Sequence, residues 1–445
     1  GNESVCSSCH DILQVYRMND RHANRSAFSA VLSIRPFRTL WAAQLCSQLG
    51  FAMLLFVLAL RVYQLTGSNA AVSGLFLTFG VPAVIFGIAA GAIVDHLDKR
   101  IVLMVADLSR AALVLLFFLF PGVLPVMYLA SFIMAIITQF YVPAEAPTIP
   151  RLVPDDLLVT ANSLFSFTYY SSLGLGSIIA GPVLRLFGPH AVFLLIAALF
   201  LLAAWFASHL PREIGKSTHL PSPTLAKIIH IVQSVGVSMR EGLSYVKASP
   251  AIAEAILLLT GTQVILALLG TLGPGFADRV LEIDIRDASI LITGPVVLGI
   301  IFGALWVGNV GGRISVRKLI QTGITMAGIL LILIALTVRL KRVAIFAWFY
   351  ADLIILPIEF CLFFLLGLAN SMLDVPANSS LQKEAGGSMR GRVYGLLTAA
   401  VGGVGMLPIV LTGLLADVIG PGKVIFALGG IITFYGLWRM RYNKI

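Results

Sequence analysis

GAIVDHLDKR, Gly91 to Arg100, is a polar turn set between two apolar runs, 71–94 and 101–121, that are each long enough to cross a bilayer. A helix needs roughly 20 apolar residues, at 1.5 Å each, to span about 30 Å of hydrocarbon. Working outward, the same alternation of long apolar run and short polar turn continues. Toward the N-terminus and on to the middle, runs lie near 39–62, 124–146, 157–184 and 188–210; beyond a polar interruption they lie near 250–277, 287–307, 319–338, 353–376, 393–417 and 422–439. Hydrophobic residues make up 58% of the 445, charged ones 12%, and the mean hydropathy is +0.95. Such a chain does not dissolve as a globule. In lipid every backbone amide must be paired internally, which leaves helices or closed barrels. The runs are too long for barrel strands and do not alternate, so the sequence predicts an all-α membrane protein with twelve transmembrane helices.

The formal charge of +10 is of the sign that nucleic acid attracts, but the bases are spread through short loops between apolar helices. Topology is the better account, and no nucleic-acid partner is expected. With the N-terminus placed inside, 22 Lys and Arg fall in inner segments and 8 in outer ones, with Arg110 inside the third span. The positive-inside rule then puts both termini in the cytoplasm; Arg339, Lys341 and Arg342 run against that bias. The expected divisions are a cytoplasmic tail 1–37, a six-helix bundle 38–210, a cytoplasmic loop 211–249, a second bundle 250–439 and a cytoplasmic tail 440–445. The first tail lacks the pattern of a signal peptide. Its Cys6-Ser-Ser-Cys9-His10 has the spacing of c-type haem attachment, a reaction that takes place outside the cytoplasm. A chance match is the reading for an inside tail, and no cofactor is expected. Cys46 and Cys361 fall within spans, where free cysteine packs as a small hydrophobe.

The two halves echo one another. YVPAEAP at Tyr141–Pro147 returns as DVPANSS at Asp374–Ser380, and LRLFGPHAVF at Leu184–Phe193 returns as LADVIGPGKVIF at Leu415–Phe426, both at an offset of 232 to 233 residues. A shared offset at two places argues for duplication. Parallel halves related by an axis along the membrane normal follow from that. Glycine-rich helix segments such as Leu173–Gly181 and Val401–Gly405 let helices approach closely.

Gly91, Asp95, Lys99 and Arg100 resemble the loop signature of the major facilitator superfamily: Gly, three residues, Asp, a basic residue, any residue, Gly, then two basic residues, between helices two and three. His96 stands where a base is usual and Asp98 where Gly is usual. The loop after helix eight, GNVGGRISVRK at Gly308–Lys318, takes the corresponding place but lacks the Asp. LGLGSIIAGP in helix five, with Gly174, Gly176, Gly181 and Pro182, resembles the glycine motif of the antiporter branches and points to efflux. Pro182 also frees a carbonyl, which allows the helix to bend there. FRTLWAAQLCSQLG at Phe37–Gly50, PRLVPDDLLVTANSL at Pro150–Leu164 and LQKEAGGSMRGRVYGLL at Leu381–Leu397 are similar to the drug:proton antiporter branch that holds macrolide efflux pumps and siderophore exporters. Lysophospholipid transporters share much of the pattern. The resemblance runs from about Arg38 to Trp438. It implies the major facilitator fold of two pseudo-symmetric six-helix bundles in the plasma membrane, rocking about a midplane site.

The resemblance makes Asp95 a gate residue, bonded to a helix N-terminus or a base; a solvated loop charge is the alternative. Lys99 and Arg100 are gate partners or positive-inside anchors, and Glu145 and Arg151 extend the gate. Ionisable residues inside spans are functional candidates by default. Asp107 and Arg110 are three apart on one helical face, a structural pair or a coupling pair. Glu359, after Pro357 in helix ten, is the expected proton carrier, unless helix ten begins later and leaves it at the outer surface. The resemblance places helices one, four, seven and ten around the cavity, and these bring Gln44, Gln48, Gln139 and Gln263. Amides among aromatics suit a large, mainly apolar ligand; helix-to-helix hydrogen bonding is the alternative. No Walker loop, complete dinucleotide fingerprint, nucleophile–base pair or metal-ligand spacing is present, so neither an enzyme nor an ATP-driven pump is expected. The expectation is a monomer in the lipid bilayer that exports a small amphipathic substrate, drug-like or a siderophore, with protons as coupling ion. Lysophospholipid transport and a non-transporting sensor or scaffold are the alternatives.

Overall fold

The computed structural model describes residues 27–94, 97–154, 157–212, 240, 243–310, 314–342, 351–385 and 390–442. Among them there is no strand, and eleven helices are long and apolar enough to cross a bilayer. The first four are α1 (Arg35–Thr66), α2 (Asn69–Val94), α3 (Lys99–Leu119) and α4 (Leu124–Glu145). The helix Leu158–Ser208 holds two spans, α5 (158–187) and α6 (189–208), turned at Gly188, which gives twelve in all. In the second half come α7 (Pro250–Phe276), α8 (Gly294–Val310), α9 (Val316–Arg342) and α10 (Ala351–Glu384). α11 runs from Arg390–Ala399 through a π-turn at Ala400–Val404 into Met406–Ile419, and α12 is Pro421–Tyr442.

Local chemistry sets the ends. Asp98 caps α3 by accepting from the Arg100 N–H at 3.0 Å, and Ser249 caps α7 ahead of Pro250. Thus Asp98, the departure from the signature, serves as an N-cap. Pro182 keeps helical dihedrals, and within 158–208 only Gly188 leaves them, at φ 77° and ψ 178°. Its echo, Gly420, has φ 91° and ψ 146°, so both Gly-Pro turns need a residue without Cβ. α10 continues past the expected end at 376 to Glu384, through Pro376.

The two halves repeat their packing. α2 lies on α4 and α3 on α6, as α8 lies on α10 and α9 on α12. Each half has its own apolar core, one around Phe117, Phe193 and Phe200, the other around Phe276, Phe363 and Leu366. Outward, Leu129, Phe302, Leu305 and Phe434 stand exposed, the surface a bilayer covers. Between halves, α2 meets α11 and α5 meets α8. At the α5–α8 contact a Cβ on Gly174 would run into Val297, and one on Gly181 would run into Ser289 and the Arg286 carbonyl. Gly176 instead faces α1, where a Cβ would sit 2.7 Å from Ala52 Cβ.

Candidate functional site

Asp107 and Arg110, one turn apart on α3, are buried at 0% and 2% exposure and bonded at 3.1 Å. Ser47 of α1 joins them, donating to Asp107 Oδ1 at 2.7 Å and accepting from Arg110 Nη1 at 2.9 Å. The other guanidinium arm donates to Thr138 Oγ1 of α4 at 3.0 Å. The guanidinium carbon lies 4.4 Å from the ring centre of Tyr141, a cation–π contact. Asp107 Oδ2 has no hydrogen-bond partner among the described residues. Glu145, buried one turn beyond Tyr141, lies within Coulomb range of both members of the pair. This cluster ties α1, α3 and α4 together with groups whose mutual attraction offsets a high cost of dehydration.

The cluster borders a cavity of about 420 Å³ between the halves. From the N-terminal half the polar groups of Ser47, Gln48, Arg110, Thr138, Tyr141, Tyr169 and Ser177 stand among apolar residues that include Phe51, Leu55, Phe56, Phe76 and Leu173. The C-terminal half adds Gln263 and Thr293 to a wall otherwise apolar, with Leu266, Leu269, Ile292, Val296 and Ile300. Such a space holds a drug-sized, mainly apolar molecule with a few polar groups.

At the end of the molecule that carries Gly67 the halves are bonded to each other. Asp417 of α11 accepts from Ser68 Oγ at 2.5 Å, the Asn69 N–H at 2.7 Å, Asn69 Nδ2 at 3.1 Å and the Ala70 N–H at 3.0 Å. It thereby caps α2, a helix of the other half. Arg185 of α5 holds Asp287 at 2.7 and 2.9 Å. Arg185 and Asp417 are themselves echo positions, 232 residues apart. Arg279 donates to the Gly67 carbonyl, Tyr63 to Asp278 at 3.1 Å and Ser73 to the Ile409 carbonyl at 3.0 Å.

Not all the anticipated residues gather here. Gln48 and Gln263 line the cavity. Gln44, buried at 4%, donates to the Phe165 carbonyl at 3.5 Å and so ties α1 to α5, whereas Gln139 bonds its own helix at Ala135. Glu359 is buried, not solvated, bonded to Thr337 of α9 inside the C-terminal half and outside the cavity lining. In the signature turn Lys99 is buried and donates to the carbonyls of Val94 (2.6 Å) and Leu97 (3.0 Å), closing the end of α2. Arg100 is half-buried in the first turn of α3, and Arg151 is exposed on the short helix Ile149–Leu152. Gly91 falls in the last turn of α2, whereas Asp95 and His96 lie outside the described residues. Ser47, Thr138, Asp417 and Arg185 were not singled out in the sequence. For the last two the shared 232-residue offset was the available signal.

Among the described residues, twelve spans in two echoing bundles around a central cavity define a membrane transporter. The sequence matches the Major Facilitator Superfamily over residues 40–407, and the chain belongs to that family. It is 26% identical over 417 residues to the uncharacterized MFS-type transporter YfiS of Bacillus subtilis (strain 168), covering 92% of this chain and 93% of that one. It is 28% identical to macrolide efflux protein A of Streptococcus pyogenes over 66% of this chain and 71% of the relative. With the multidrug efflux pump Tap of Mycolicibacterium fortuitum it shares 26% identity over 82% and 86%. Among solved structures, the nucleoside transporter NupG superposes with a TM-score of 0.69 at 13% identity, over 92% of this chain and 100% of that one.

Proposed function

We propose that this transporter exports an amphipathic, mainly apolar compound from the cytoplasm in exchange for protons. The observation that carries the reading is a mainly apolar cavity whose polar groups gather mostly on the N-terminal half, with Arg110, held by the buried Asp107, among them. The macrolide and multidrug efflux relatives support it. A proton reaching the free Oδ2 of Asp107 neutralises the carboxylate and loosens its hold on Arg110 and Ser47. Both of those line the cavity, so the proton and the ligand act on one set of side chains. Gln48 and Gln263 orient the polar groups of the ligand, and Glu145 is the next acid on the proton's route. With both termini cytoplasmic, the Gly67 end is the outer one, and its bonds close the cavity to the outside. The bundles 38–210 and 250–439 then rock about the cavity, a motion that breaks those bonds and remakes others at the turn holding Gly91, Asp95, Lys99 and Arg100.

The test is proton flux in liposomes that hold a pH dye, with macrolides, other lipophilic drugs, siderophores and lysophospholipids added in turn. Substrate-triggered proton movement is expected for one class. Asp107→Asn, a mimic of the protonated state, is expected to bring it to the level of empty liposomes while ligand binding persists; Glu359→Gln leaves it intact. Movement of a lysophospholipid without protons, or silence across the panel from folded protein, overturns the reading.

A further inference from the structure

α7 separates two spaces. On one side is the central cavity; on the other is a recess of about 30 Å³ inside the C-terminal half, walled by α7, α9, α10, α12 and Ile292 ahead of α8, and lined by apolar residues that include Phe276, Leu331, Phe363 and Ile432. Leu269, Gly273 and Ile292 belong to both linings, so the partition is one side chain thick. At Gly273 it has no side chain. A Cβ built there meets no heavy atom within 4 Å, whereas one on Gly270, a turn earlier, would lie 2.9 Å from Phe76. Gly270 is thus needed for close packing, and Gly273 is not. A glycine inside a helix costs stability relative to alanine, and here no tight contact offsets that cost.

We propose that Gly273 is the window of a tail subsite, through which the apolar end of the exported compound enters the recess while its polar part stays against Gln48, Arg110 and Gln263. The proposal rests on the reading above in one respect, that the ligand is an amphipath. Apolar recesses of this kind stay dry, so an alkyl or aryl group enters without displacing bonded water. A space of about 30 Å³ takes on the order of one or two carbons, and each carbon buried strengthens binding about fourfold. Gly273 therefore sets the length of tail the transporter prefers.

The experiment is equilibrium binding to the full chain in nanodiscs without any gradient, read by the fluorescence of dansyl n-alkyl amides of four to twelve carbons, against empty nanodiscs. Affinity is expected to rise with length and then level off. Gly273→Leu should weaken the longer members about four- to sixteenfold and leave the shortest unchanged. Ile432→Ala, which enlarges the recess from the far side, should move the plateau to tails one or two carbons longer, a gain that a misfolded protein cannot give. A uniform loss in Gly273→Leu, no change in it, an unmoved plateau in Ile432→Ala, or no binding of any probe overturns the proposal. Because no gradient is used, an intact length dependence beside absent proton flux in liposomes defeats only the transport reading.

Discussion

Asp417 holds two helices that belong to different halves, so all of its bonding energy counts toward the state in which the Gly67 end is closed. Its carboxylate accepts from two backbone N–H groups, a hydroxyl and an amide of 68–70. Hydrogen bonds to a charged group contribute roughly 1.5–3 kcal/mol each and neutral ones about half that. Asp417 is half-exposed, which screens part of the difference. Asp417→Asn keeps the shape and one acceptor oxygen but removes the charge, and a loss of about 2 kcal/mol follows. That is a shift of about thirtyfold toward the open end. Spin labels at Leu65 and Lys423, exposed and in opposite halves, report the separation by pulsed dipolar spectroscopy. A new, longer distance population is expected in Asp417→Asn, and a smaller one in Ser68→Ala, which deletes the bond to Asp417 and the one Ser68 Oγ accepts from the Ala71 N–H within its own half; only the first counts toward closure, about 1.5 kcal/mol or roughly tenfold. Identical distance distributions in the parent and Asp417→Asn would refute the view that this cap closes the end.

Arg110→Met leaves Asp107 buried without its partner and should lower stability by about 3–5 kcal/mol, whereas Arg110→Met with Asp107→Leu should recover most of it; thermal melts in detergent decide. Recovery only of stability, with proton-linked flux still absent, is the expected pattern. Gly181→Val sets a side chain against Ser289 between the halves, so the same spin labels should report an opened Gly67 end. Gly176→Val clashes with α1 within one half, and it should instead cost about 1–3 kcal/mol of stability with the label distance unmoved.

The apolar runs made the fold legible, because length and hydropathy in lipid admit few alternatives. The sequence put the break between α5 and α6 at 185–187, and the structure turns one residue later, at Gly188 with its positive φ. The site was legible in part. Asp107 and Arg110 declare themselves by spacing alone, three apart on one face. Gln44 and Gln48 share a face too, yet only Gln48 meets the cavity; which way an amide turns is settled by a carbonyl on another helix, that of Phe165. Glu359 stands out in sequence as an acid within a span, but its hydroxyl partner Thr337, 22 positions away on α9, does not, and its Oε2 has no partner among the described residues. Asp417 sits at a span end, where an acid is unremarkable in sequence. Two of its four donors are backbone N–H groups of a helix almost 350 residues distant, and backbone donors leave no trace in residue identity.

The duplication explains where chemistry falls in each half. Tyr141 and Glu145 stand in the N-terminal copy of the repeated Val-Pro-Ala segment; Asp374 and Asn378 hold the same places in the other. In the first copy an aromatic ring covers Arg110 and an acid lies behind it. In the second, Asp374 accepts from Thr262 at 3.2 Å and Asn378 from Tyr394 at 3.0 Å, bonds confined to the C-terminal half. The two frames are alike, but the pair of buried opposite charges lies in one and the apolar recess in the other. On the proposed reading the N-terminal half senses the proton and the C-terminal half measures the tail. An amphipath lying across the cavity touches both, so its binding can report to the bonds at Asp417 and Arg185 only if the halves move as units. That requirement ties the glycine contacts of α5 to transport: Gly174 and Gly181 lie where one rigid body must slide and close against the other.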